Sequence, residues 1–131
     1  MVQKQIEIIQ EIQKQKDGLV EKVEKFFEER NGDSKHKVPV TRTQLHNVLG
    51  MAIATDSVKE IINYLKHQIA RHKEWRENNF GKNLIKKINE VSETAGNDKN
   101  LKIQLVRLFL GYFAREARYV RKDWEAKGHE E

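Results

Sequence analysis

Cysteine is absent from all 131 residues, which excludes a disulfide framework, a zinc finger and thiol chemistry. Proline occurs once and glycine seven times, too few for a β-sandwich, a collagen repeat or a proline-rich linker. No run of apolar residues approaches the ~20 needed to cross a bilayer, so no membrane partner is expected. The opening stretch MVQKQIEIIQEIQKQK is charged and lacks a small-residue cleavage site, so it does not read as a secretory signal. These absences point to a cytoplasmic protein. Metal and cofactor signatures are missing as well. His67 and His72 stand five apart, about 140° round a helix, and no Glu-x-x-His or His-x-x-x-His occurs. There is no glycine-rich phosphate loop and no serine nucleophile elbow. Neither metal nor cofactor is expected.

What is present is charge and helical period. Charged residues make up 34% of the chain and the net charge is +5. Residues 1–40 carry eight basic and eight acidic groups, whereas residues 41–131 carry 17 and 12, so the excess lies wholly in the second part. Between 101 and 122 there are six basic residues against Glu116 alone. A local excess of this kind attracts phosphates, although helical proteins also carry solvated lysines with no partner.

Sustained strand-like alternation is found nowhere, and the chain reads as an all-α, single-domain bundle of about five helices spanning 1–131. Residues 1–38 form an N-terminal helical segment and loop, and 39–131 the remaining helices. Val2, Ile9, Ile12, Leu19, Val23 and Phe26 follow a heptad-like seam, interrupted at Lys16 and Asp17-Gly18, so residues 3–30 predict one long helix or two short ones. NGDSKHKVP (31–39) predicts a loop. In VPVTRTQL, Thr41 and Gln44 form a capping box, with Val40 and Leu45 placed as a hydrophobic staple for a helix running to about Ala54. Ser57 and Glu60 suggest a second box, opening a helix to about Glu77. NNFGKN (78–83) breaks the chain. A helix carrying Leu84, Ile85, Ile88 and Val91 then ends near Gly96, and a last helix covers about 99–126.

On that last helix, Leu105, Leu108, Phe109, Tyr112, Phe113, Tyr119 and Val120 gather on one side. Arg107, Arg115, Arg118, Arg121 and Lys122 fall on the other, within an arc of about 120°. Four of these five cations are arginine, whose planar fork suits phosphate oxygens. Glu116 falls at the centre of the apolar face, where a carboxylate is costly unless it is paired or at an interface. Together with the N-terminal seam it predicts contact with a second copy of the chain. Lys59, Lys66 and Lys73 recur every seven residues on the helix after Ser57, with His67, Arg71 and Arg76 around them. Arg42, in the first turn after Thr41, joins the candidate cations.

Three segments resemble the small α-helical subunit of type III-A CRISPR effector (Csm) complexes. VTRTQLHNVL (40–49) is similar to the family's Thr-x-x-Gln-(Ile/Leu)-(Arg)-Asn-x-Leu helix start. INYLKHQIA (62–70) is similar to its Tyr-Leu-Lys segment, and VRLFLGYFAREARYVRKD (106–123) to its C-terminal helix rich in arginine and aromatics. The resemblance spans about two-thirds of the chain and departs from the family pattern at His46, Gln68 and Leu110. It implies a non-catalytic RNA-binding subunit, stacked in copies beside backbone and large subunits, along the channel where target RNA pairs with guide RNA. Lys66 and Arg107 fall on the matched motifs; Arg42, Arg71, Arg115, Arg118, Arg121 and Lys122 rest on the charge pattern. Backbone contacts of this type carry no sequence information, since base pairing supplies it. Two other readings stand beside this one. One is a helical scaffold whose cations are only solvating. The other is a ribonuclease: RNGDSKH (30–36) resembles the Arg-polar-x4-His motif of the all-helical HEPN nucleases, with Arg30 and His36 as its catalytic pair.

Overall fold

The computed structural model describes residues 2–126, and all regular structure among them is helical. Helix α1 runs Val2–Glu28 without a break, so Asp17-Gly18 does not divide it. Its buried residues are Ile8, Leu19, Val23, Phe26 and Phe27, whereas Val2 and Ile9 of the predicted seam are exposed. A four-residue helix, α2 (Ser34–Lys37), stands inside the predicted 31–39 loop, because Asp33 caps it by accepting from the His36 amide.

Helix α3 (Arg42–Ala54) begins as its sequence predicts. Thr41 Oγ1 accepts from Gln44 N at 3.1 Å, and Gln44 Oε1 accepts from Thr41 N at 2.8 Å. Val40 and Leu45 are both buried beside that box. Helix α4 (Val58–Arg71) starts with half a box: Ser57 Oγ accepts from Glu60 N, but the Glu60 carboxylate takes the Thr55 hydroxyl instead of the Ser57 amide.

The helix ends at Arg71, six residues before the predicted Glu77. His72 is extended, and the segment Lys73–Asn79 turns tightly so that Trp75 drops into the core 5.8 Å from the Phe80 ring. Arg76 folds back to satisfy the Ile69 and Ala70 carbonyls that the helix end leaves open. Asn78 and Asn79 both adopt left-handed backbone (φ 47° and 58°), which asparagine tolerates better than most residues. With Glu77, also non-helical, they confine the break to three residues, and α5 (Phe80–Glu93) starts at once. Gly81 allows this: a Cβ there would lie 2.5 Å from Ile69. Gly96, at φ 62°, follows the end of α5 as its sequence position suggests.

Helix α6 (Lys99–Val120), capped by Asp98, is the axis of the fold and packs on α1, α3 and α5. It ends at Val120, and a four-residue helix α7 (Asp123–Ala126) follows a two-residue turn. The Lys4–Asp98 pair (3.2 Å) and the Phe26–Phe113 contact (5.0 Å between ring centroids) make α1 parallel to α6. Edge and tilted contacts among Phe26, Phe27, Phe80, Phe109 and Phe113 fill the centre of one continuous core. The molecule is an all-α bundle. Among the described residues no helix is long and apolar enough to cross a membrane.

Candidate nucleic-acid interface

Helices α3 and α6 cross antiparallel and leave between them a groove of about 410 Å³. One wall comes from Arg42, Leu45, His46, Leu49, Ala52 and Ile53 on α3. The other comes from Arg107, Gly111, Ala114, Arg115 and Arg118 on α6, and Trp124 of α7 closes one end. Four of the eight cations expected to meet RNA, Arg42, Arg107, Arg115 and Arg118, therefore converge on one feature although 65 residues separate Arg42 from Arg107. No aspartate or glutamate is among the described residues lining it.

These cations are not equivalent. Arg115 is exposed, with its guanidinium 6.0 Å from the Tyr112 ring centroid. Arg118 is exposed and Arg42 half-buried. Arg107 is also half-buried, and it donates to Ala52 O at 2.9 Å and Thr55 O at 2.7 Å. It thereby satisfies open carbonyls at the C-terminus of α3, where a cation also meets the negative end of the helix dipole.

Arg121 departs furthest from expectation. A straight helix to 126 would hold it on the solvent side with Arg118. Because α6 stops at Val120, Arg121 turns inward instead and is only 4% exposed. Its guanidinium donates to the Val38 carbonyl at 2.8 Å and to Asp123 at 3.0 and 3.3 Å, and lies 5.2 Å from the Trp124 ring centroid. The reading of Arg121 as a solvent-facing cation is thus corrected: it ties the end of α6 to the loop before α3. Lys122 remains exposed. Tyr119, expected on the apolar face, is 76% exposed, although Ala117 in the same turn is fully buried. Lys66 and Arg71 are exposed on α4 and do not line the groove.

Glu116 is half-buried and faces the end of α1. Burial, then the charges of Glu24 and Glu28, push its carboxyl above the ordinary glutamate range. On the opposite course, Glu90 is held below it chiefly by the hydrogen bond from Lys22, at 3.0 Å. The one acid of residues 101–122 thus lies toward α1.

Arg30 is buried. Its guanidinium donates to the carbonyls of Lys37 (2.9 Å), His36 (3.2 Å), Asn78 (3.2 Å) and Glu77 (3.3 Å), with the Phe80 face 4.9 Å away. His36 is exposed, with its ring Nδ1 2.8 Å from Asp33 Oδ1. Arg30 therefore meets His36 through the backbone, locking the α2 loop to the Glu77-Asn78 turn. Among the described residues no group of three or more His, Cys, Asp or Glu side chains could hold a metal ion.

Sequence reasoning overlooked the groove's apolar floor. Its signal lay in α3, where Leu45, Val48, Leu49, Met51, Ala52 and Ile53 go round more than one face of the helix. One such face packs into the core through Leu45, Val48 and Ala52, and Ile53 on another is 71% exposed. No family model, curated protein or solved structure matches this chain.

Proposed function

We propose that this chain is a non-catalytic RNA-binding small subunit of a type III-A CRISPR ribonucleoprotein. It holds the backbone of guide and target RNA through arginine and lysine, and stacks with its own copies beside the backbone and large subunits. The observation that carries this reading is the exposure of Arg115 and Arg118 in the last turns of α6 and of Lys122 just beyond it, while Glu116 turns to α1. The exposed Lys66 and Arg71 on α4 add to the positive surface. Arg107 and Arg121 contribute by holding the helices that present these cations. The burial and four carbonyl bonds of Arg30 favour a structural role over a catalytic one.

The test is a titration of the full chain with a labelled single-stranded oligouridylate at several salt concentrations. Log affinity should fall with log salt by roughly 0.7 per phosphate contact. Arg115→Ala with Arg118→Ala should weaken binding by up to about 1–3 kcal/mol per well-formed contact, less where solvent screens it. The same pair should reduce the salt slope by about 1.4. Lys14→Ala with Lys25→Ala, in the charge-balanced helix α1, should do far less. Equal affinity and slope in the arginine double variant would overturn the proposal.

A further inference from the structure

We infer that the groove between α3 and α6 docks an acidic, amphipathic helical segment of a protein partner. This goes beyond the RNA reading and shares with it the exposed Arg115 and Arg118.

The first ground is the pairing of an aliphatic floor with a cationic rim. Leu45, Leu49 and Ile53 supply the floor, and Ile53 stays 71% exposed although it sits in a concave, apolar setting. Apolar space of ~150 Å³ accepts one benzene-sized group, so 410 Å³ suits two or three anchor side chains. Such anchors recur at i, i+4 and i+7 on one face of a helix laid in a groove. The exposed Arg115 and Arg118 give the rim a positive edge that complements carboxylates on the flanks of that helix.

The second ground is Gly111. It sits in the middle of the 22-residue helix α6, where glycine is less favourable than alanine. Packing does not demand it: a Cβ at Gly111 would meet nothing within 4 Å, and its φ is not positive. What a side chain there would do is occupy the groove.

A peptide fits these walls better than a nucleic acid. Bases bind single-strand sites by stacking on exposed aromatic faces, whereas of the two rings lining this groove Trp124 is buried and only the small imidazole of His46 is exposed, over an aliphatic floor.

The test uses the full chain and a fluorescein-labelled synthetic amphipathic helix with leucines at i, i+4 and i+7 and glutamates on both flanks. Saturable binding is expected, and a version with lysines in place of the glutamates should bind at least about tenfold more weakly. Gly111→Leu fills the groove and favours helix, so it should stay folded and lose about tenfold or more in affinity. Ile53→Glu, at an exposed position, should lose as much by repelling the acidic flanks. Oligouridylate binding should be unchanged by Gly111→Leu. Three results overturn the inference: no saturable peptide binding at about 0.1 mM protein, equal peptide affinity in both variants, or loss of RNA rather than peptide binding in Gly111→Leu. The last would make the groove a nucleotide site.

Discussion

Replacing Arg121 by alanine separates structural from binding cations. The bond from its guanidinium to the Val38 carbonyl, at 2.8 Å, lies in the interior, where Val38 has no exposed surface. A hydrogen bond involving a charged group contributes about 1.5–3 kcal/mol, and its loss strands a buried carbonyl. The Asp123 partner is partly exposed and adds about 0.2–1 kcal/mol. Arg121→Ala should therefore cost about 2–4 kcal/mol. With an unfolding entropy of about 2.1 cal/mol/K per residue over 131 residues, the thermal midpoint should fall by about 7–14 °C. Arg115→Ala, at an exposed position, should change stability by less than about 0.5 kcal/mol. Circular dichroism melts of the parent and both variants give these values directly, and RNA titration well below the lowest midpoint completes the comparison. Arg121→Ala should then bind RNA as the parent does, while Arg115→Ala binds more weakly on a fold of parental stability. A midpoint for Arg121→Ala within about 2 °C of the parent would refute the reasoning.

Glu116→Gln should raise the melting temperature at pH 7. The folded-state pKa of Glu116 lies above its unfolded value, so the carboxylate opposes folding above the folded pKa. That opposition fades as pH falls through the folded pKa and is gone below the ordinary value of 4.5, so the two melting curves should converge in acid. Thr41→Ala removes one bond of the α3 capping box and should cost about 1 kcal/mol by urea denaturation. Arg30→Ala strips the donor from four carbonyls and should cost about 3 kcal/mol or more, whereas His36→Ala should stay within about 0.5 kcal/mol of the parent. Loss of an RNA-cleaving activity in His36→Ala would favour the ribonuclease reading.

Features set by neighbours in the chain could be read from the sequence. The Thr41 box, the end of α3 at Ala54 and the turn at Gly96 all depend on residues within one helical turn, and all three stand where expected. What failed to show was decided by distant residues. Whether Ile8 or Ile9 turns inward depends on the angle at which α1 meets α6, since both fit a helical stripe equally well. The end of α4 at Arg71 follows from the site that Trp75 fills beside Phe80, which periodicity cannot register. Arg121 was misplaced for a related reason. Helical-wheel geometry assumes the helix continues, and one break in backbone direction moved that cation from the surface to the interior. Of the candidate site, the cations were legible as residue types, but the convergence of Arg42 with Arg115 and Arg118 requires α3 to lie against α6.

The parallel pairing of α1 with α6 joins the first long helix to the last one. The ring that Phe26 and Phe27 close on, Phe113, is added 86 residues after Phe27. At about 5–20 residues per second that delay is roughly 4–17 s. Throughout it, Leu19, Val23, Phe26 and Phe27 have no α6 to cover them, and a chain stopped short of α6 would keep them exposed for as long as it lasted. The bundle is thus closed by α6, and products truncated before it should be recognised and removed as aggregation-prone chains.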